Sequence, residues 1–178
     1  PLIALNANGT LKWSFELPLD DIYNLELGSD DTAYLRGERD YTLYAINTDG
    51  ILNWSYFIGY SSTNPSPLIG NDGTVYVGSN DTLLAINEDG TLLWDYTTEG
   101  IQALDYYLSN PYSVWALYGF VSEMSPGCID SFGTIYVGFA GTLLAINPDG
   151  TLNWSYTTES YLISSPVIDS YDTVYIGS

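Results

Sequence analysis

The chain has 178 residues, a formal net charge of −19 and 46% apolar side chains. That length and apolar content suffice for one well-buried domain, and Lys12, Arg36 and Arg39 are the only cations set against 22 carboxylates. So sparse a positive charge excludes nucleic acid and anionic membranes as partners, and no run approaches the roughly 18 apolar residues that membrane insertion requires.

The first element, Ile3-Ala4-Leu5-Asn6-Ala7-Asn8-Gly9-Thr10-Leu11-Lys12-Trp13, returns as Tyr44 to Trp54, Leu84 to Trp94 and Leu144 to Trp154. Self-similarity at a period of about 40 residues marks a chain that stacks copies of one small unit. A second element follows each Trp. It is loose from Leu25 onward and sharper from Ser66, Ser125 and Ser165, where it reads Ser-Pro, a short apolar step, a polar turn and a Tyr-centred strand. Three linkers from Trp to this element are about a dozen residues, whereas the one after Trp94 is about 20 residues longer.

Each unit parses into four short strands. In the second copy these are residues 67–69, 74–78, 82–86 and 91–96, separated by Gly70-Asn71-Asp72-Gly73, Ser79-Asn80-Asp81 and Asn87-Glu88-Asp89-Gly90. Asp-Gly pairs between apolar runs signal hairpins, because Gly accepts the positive φ that such turns need. A four-stranded meander is one propeller blade. The predicted fold is therefore all-β, one β-propeller domain over residues 1–178 with four four-stranded blades at about 22–57, 65–97, 125–157 and, split between the ends, 165–178 plus 1–17. An insertion occupies about 100–124.

The split blade follows from alignment. The chain opens within strand three and stops after strand two; with Ser178 set on Phe139 and Pro1 on Thr142, two residues separate end from start. Unpaired strand edges seek complementary strands. Closure within one chain, giving a four-bladed ring, is the expected arrangement. Closure between chains, giving an eight-bladed ring or an open series, is the alternative, and a fragment of a longer propeller is the third. The missing initiator Met is expected of a sequence whose leader is removed or that starts within a longer chain.

Strand three, Leu83-Leu84-Ala85-Ile86, is apolar throughout, as in a strand covered on both faces, while Leu52-Asn53-Trp54-Ser55-Tyr56 alternates as near an edge. Trp13, Trp54, Trp94 and Trp154 are thus expected to wedge between adjacent blades as packing residues rather than to stack on ligands.

The Ala-x-Asn-x-Asp-Gly-x-Leu-x-Trp pattern, preceded by Ser-Pro-x-Ile and Gly-Thr-Val-Tyr-Val-Gly, resembles the repeats of PQQ-like (quinoprotein-type) β-propellers over nearly the whole chain except about 100–124. The resemblance implies a propeller fold, in a group spanning quinone-dependent dehydrogenases, an outer-membrane assembly lipoprotein and secreted or surface proteins that use the repeat as scaffold. The quinone enzymes carry a vicinal Cys-Cys disulfide, a calcium held by Glu, Asn and Asp, and a catalytic Asp. Cys128 is the only cysteine here, so that disulfide cannot form. The spacing from Ala45 to Trp54 is also one residue short of their motif. The expected branch is the non-catalytic scaffold, with no cofactor and no carried-over catalytic residue.

With no His and one Cys, a zinc-type site is excluded. Asp49, Asp89 and Asp149, with Asn8 in the matching place, precede Gly in hairpin turns and lack the spacing of a calcium loop. The neighbours Asp20-Asp21 and Asp30-Asp31 fall in linkers or turns, where solvation is the default. Glycosylation signals start at Asn8, Asn53, Asn80 and Asn153, of which Asn8 and Asn80, in turns, are expected to be the most accessible. Scarce Lys, 17 Tyr and abundant Ser and Thr fit an extracellular or cell-surface protein.

The insertion carries Tyr106, Tyr107, Tyr112, Trp115, Tyr118 and Phe120 as interface or ligand candidates. The expected function is a non-enzymatic structural module that self-associates as a homo-oligomer or polymer, in a surface layer or filament. The alternative is a propeller that binds a glycan or a surface protein, and a quinone-dependent dehydrogenase fragment is the reading of last resort.

Overall fold

The computed structural model describes residues 1–17, 22–37, 40–59, 65–98, 124–158 and 164–177. Sixteen strands and no helix occur among them. Three complete meanders form four-stranded antiparallel sheets. The first blade holds β3 (Ile22–Leu27), β4 (Ala33–Gly37), β5 (Thr42–Ile46) and β6 (Leu52–Phe57). The second holds β7 (Leu68–Ile69), β8 (Val75–Ser79), β9 (Thr82–Ile86) and β10 (Leu92–Thr97). The third holds β11 (Cys128–Ile129), β12 (Ile135–Phe139), β13 (Thr142–Ile146) and β14 (Leu152–Thr157). Two further hairpins flank them, β1 (Leu2–Leu5) with β2 (Leu11–Phe15), and β15 (Val167–Ile168) with β16 (Val174–Tyr175).

The turns show why these sequences reverse where they do. Between strands three and four, Gly90 takes a φ of +84° and the Asn87 N–H and carbonyl close the loop onto Thr91 and Gly90. Asp89 Oδ1 accepts both the Thr91 N–H at 3.0 Å and its hydroxyl at 2.6 Å, and Asp149 and Asn8 treat Thr151 and Thr10 the same way. In the first blade Ile51 stands where the other turns have Thr, and there the side chain of Asn47 accepts the N–H groups of Asp49 and Ile51 instead. These acidic residues cap their own turns.

Strand four carries a recurring register shift, so that Leu52 faces Ile46 while Trp54 faces Ala45, with Asn53 as the extra residue. The same shift occurs opposite Ala4, Ala85 and Ala145. A bulge of this kind re-aims the following side chain, and here it turns each Trp onto the face shared with its Ala. Plain alternation along strand four does not reveal it.

Cores lie between sheets. Tyr34, Leu43 and Ala45 of the first blade pack with Val75, Val77 and Ile86 of the second, and Tyr76, Leu83 and Ala85 of the second with Ile135, Val137, Leu144 and Ile146 of the third. The flanking hairpins each join the neighbouring blade: Leu2 packs with Leu35 and Ile46 of the first, Ile168, Val174 and Ile176 with Tyr136, Leu143 and Ala145 of the third.

Closure within one chain, expected from the alignment, is not seen among the described residues: the two hairpins are separate two-stranded sheets, one packed on the first blade and the other on the third. The insertion aromatics Tyr106, Tyr107, Tyr112, Trp115, Tyr118 and Phe120, and the pair Asp20-Asp21, lie outside the described residues. Met124, the last residue of the expected insertion, is a core residue instead: it is buried, its Cβ comes within 3.0 Å of the Cβ position of Gly78, and its N–H donates to the Asn80 carbonyl.

Candidate functional site

One row of three residues crosses each complete blade. Tyr34 pairs with Ala45 and Ala45 with Trp54; Tyr76-Ala85-Trp94 and Tyr136-Ala145-Trp154 repeat the arrangement. The small Ala lets the flanking rings approach, with centroids at 5.8, 5.7 and 5.7 Å and tilted planes, within the range of favourable aromatic pairs. Burial raises the Tyr34 and Tyr76 phenols above their usual 10.0, and Tyr136 reaches about 12 through burial and its hydrogen bond to Asp130.

From this row the Trp reaches across to the next blade. Trp54 Nε1 donates to the Glu88 carbonyl at 2.7 Å, Trp94 Nε1 to that of Pro148 at 2.8 Å and Trp13 Nε1 to that of Thr48 at 2.9 Å. Each indole lies flat over the turn Gly that follows, so that a Cβ at Gly90, Gly150 or Gly50 would stand under 3.0 Å from it. Trp13, Trp54 and Trp94 therefore each wedge between blades.

Trp154 does not. It is 40% exposed, and among the described residues no turn glycine lies against it, the half-blade beside it being β15 and β16. The face that Ile69, Val75, Val77, Leu84 and Ile86 cover on the first blade is covered on the third, among the described residues, by Ile168, Val174 and Ile176. What is left is a groove of about 320 Å³ lined by Leu143, Trp154, Ser155, Tyr156, Val174 and Ile176.

The opposite end carries the matching deficit. Leu5 is 61% exposed where Ile46, Ile86 and Ile146 are all at 0%, and Ile3 is exposed as well. No described atom lies within 4 Å of the Cβ position of Gly9, whose φ is +83° like that of its counterparts. At the C-terminal hairpin Tyr175 is 54% exposed, while Tyr34, Tyr76 and Tyr136 are buried.

A second cleft of about 220 Å³ lies between the turns of the second and third blades, lined by Gly70, Asn71, Asp72, Tyr76, Ile129, Ser131, Phe132, Gly133 and Pro148. Phe132 and Tyr171 occupy equivalent turn positions and project into solvent. The neighbouring Asp130 is occupied internally. Burial pushes its carboxyl up, but donors outweigh that and hold it below 3.8, the Thr134 N–H and hydroxyl foremost, then the Tyr136 hydroxyl and the Phe132 N–H. Cys128, half-buried, is pushed up to about 11 by burial and by the Asp130 charge.

Arg36, one of the three cations, is fully buried and its Nη1 donates to the Gly78 carbonyl of the second blade at 3.0 Å. Composition alone carries no signal of this blade-to-blade contact. Among the described residues no three His, Cys, Asp or Glu side chains converge as a metal site, and no helix is long and apolar enough to cross a membrane. Of the glycosylation candidates, Asn8, Asn53 and Asn153 are exposed, whereas Asn80, with φ +52°, is half-buried. The strand-four positions Asn53 and Asn153 are thus more open than the turn position Asn80.

Residues 2–178 match the PQQ_2 family, described as outer membrane protein assembly factor BamB. No curated protein sequence matches the chain significantly. Among solved structures it is similar to a catalytically inactive virginiamycin B lyase from Staphylococcus aureus with quinupristin, at 15% identity and a TM-score of 0.65, covering 87% of this chain and 48% of that one. BamB from Moraxella catarrhalis is similar at 16% identity and a TM-score of 0.62, with 90% and 48% covered. The WD40 propeller domain of Doa1 is similar at 14% and 0.66, with 96% and 52% covered. The chain thus has the propeller fold and spans about half the length of these structures.

Proposed function

We propose, on the premise that the chain belongs to the PQQ_2 propeller-repeat family, that it is a non-enzymatic structural module of the cell surface or extracellular space that self-associates through its incomplete blades. The observation that carries this reading is the pair of two-stranded half-blades, whose strand edges are unpaired among the described residues and whose Ile3, Leu5, Val167 and Tyr175 are exposed. Exposed edges and contiguous apolar faces are what folded proteins cover by association. A family whose description is an outer-membrane assembly factor supports a place in the cell envelope, and the scarcity of cations fits an exposed surface. The relatives in fold include a lyase as well as non-enzymes, so fold by itself does not decide enzymatic status.

The test is the mass and shape of the native particle. Light scattering and direct imaging are expected to find multiples of the chain, as rings or filaments. A particle of single-chain mass at every concentration overturns the proposal.

A second reading, binding of a glycan or a surface protein, draws on Phe132 and Tyr171, which stand 78% and 87% exposed on adjacent turns. Aromatic faces so displayed favour sugars and protein partners. Loss of glycan retention on Phe132→Ala, with particle size unchanged, would favour it over the first.

A further inference from the structure

The turn between strands one and two is capped in two different ways. In the first and second blades the cap is the third turn residue: Asp30 Oδ1 accepts the Thr32 N–H at 3.0 Å and Asp72 Oδ1 the Thr74 N–H at 3.1 Å. In the third blade it is the first, Asp130, which accepts the N–H groups of Phe132 and Thr134 at 2.8 Å each and the Tyr136 hydroxyl at 3.0 Å. Holding the turn thus passes from position three to position one. Position three, released from that duty, carries Phe132, and its side chain stands 78% exposed.

An exposed apolar side chain taken singly is ordinary. Phe132 differs in its setting. It forms one wall of the cleft of about 220 Å³ over the joint between the second and third blades, where Trp94 Nε1 donates to the Pro148 carbonyl. Complete four-stranded sheets frame that cleft on both sides. Thr98 and Met124, which bracket residues 99–123, are bonded to Asp81 and Asn80 at the opposite end of the strands. The turn that presents the phenyl ring is closed by the Gly133 N–H on the Asp130 carbonyl, and Ser131 Oγ ties it to Asp172 of the next turn at 3.2 Å. A ring held on so fixed a loop pays little ordering entropy when a ligand arrives.

The facing wall is polar, with Asn71 and Asp72 exposed on the turn of the second blade. Asp72 uses Oδ1 for its cap, which leaves Oδ2 as an acceptor. Three properties then select the ligand. The cleft is smaller than the roughly 300–1,000 Å³ of a drug-sized pocket, so it takes one ring-sized unit. Its carboxylate calls for a ligand that brings O–H donors. No cation lines it, and Asp130, Asp149 and Asp172 adjoin its lining residues, so an anionic group is repelled. A sugar ring without charge meets all three conditions, its C–H face on the phenyl and its hydroxyls on the amide and carboxylate. A protein partner would need on the order of 800 Å² per side, far more than this cleft offers.

We infer that the cleft between the second and third blades is a subsite for one pyranose ring of a neutral glycan, with Phe132 stacked on the ring and Asn71 and Asp72 holding its hydroxyls. The inference rests on the glycan reading above and narrows it, since Tyr171 does not line the cleft.

Calorimetric titration of the chain with maltohexaose, cellohexaose, mannohexaose and N-acetylchitohexaose, all neutral, and with anionic hexagalacturonate separates the fate of the two. At least one neutral probe is expected to bind saturably, and hexagalacturonate is expected not to bind. Phe132→Ala should raise the dissociation constant of that probe about tenfold, the scale of an aromatic stack. Asp72→Asn keeps the capping oxygen and replaces a charged acceptor by a neutral one, for a rise of about fivefold. Tyr171→Ala should change nothing, and circular-dichroism melts of the three variants confirm that each stays folded. A neutral probe bound as tightly by Phe132→Ala and Asp72→Asn as by the parent chain, or lost on Tyr171→Ala alone, leaves the glycan reading standing and overturns this subsite. Binding of hexagalacturonate in preference to the neutral probes overturns the charge argument and the subsite with it. No neutral probe bound by the parent chain sinks both and leaves Phe132 to a protein contact.

Discussion

Alanine at Gly90 and alanine at Gly9 impose the same backbone strain and differ in one contact. Both glycines sit near φ +83° in equivalent turns, a region where an L side chain costs about 1–2 kcal/mol. At Gly90 the new Cβ would also lie 2.7 Å from Trp54 Cγ and 2.8 Å from Cδ2. The indole cannot withdraw cheaply, since Nε1 is tied to the Glu88 carbonyl and the ring lies against Tyr34. Overpacking of this kind costs about 1–3 kcal/mol more. Gly90→Ala is therefore expected to lose about 2–5 kcal/mol and Gly9→Ala about 1–2 kcal/mol. The difference isolates the clamp between blades, because strain cancels. Urea unfolding, followed by circular dichroism, measures both. Equal losses at the two positions would refute the idea that the Trp grips the next turn.

The Trp residues themselves are expected to divide in the same way. Trp94→Ala removes a wedged ring, its pair with Tyr76 and a hydrogen bond to Pro148, about 3–5 kcal/mol in sum. Trp154→Ala, in single copies, forfeits little beyond the pair with Tyr136, about 1–2 kcal/mol, and a melting temperature that falls equally for both would contradict this. Stability should form a plateau in pH. The carboxyls of Asp30, Asp89, Asp130, Asp149 and Asp169 are held below 3.8 by their turn hydrogen bonds, so the stability they contribute is present above that value and is lost as pH falls through the lowered ones. Tyr44 and Tyr136, raised from 10.0 to about 12, act in the opposite sense, contributing fully below pH 10 and failing between 10 and 12. With no His in the chain, melting temperatures measured between about pH 5 and 9 should stay level, and a step near pH 6.5 would count against the assignment.

The repeat made most of the fold legible in advance. Four Trp-ended segments at a fixed spacing, Asp-Gly turns between apolar runs and an all-apolar strand three are enough to read meandering blades. The side-chain geometry behind the joints was less accessible. The extra residue at Asn53, Leu93 and Asn153 is invisible to a period-two pattern, yet it turns each Trp toward its Ala. Arg36 enters the sequence reading only as one of three cations, and the structure places it in the core, bonded to the neighbouring blade. The side chain of Asn80 was read as open because it lies in a turn, but that turn is the tight one between strands two and three, against which Met124 packs. Pairing of the two terminal hairpins is not legible either way from local sequence; among the described residues each packs on a different blade, Leu2 on the first and Ile168, Val174 and Ile176 on the third.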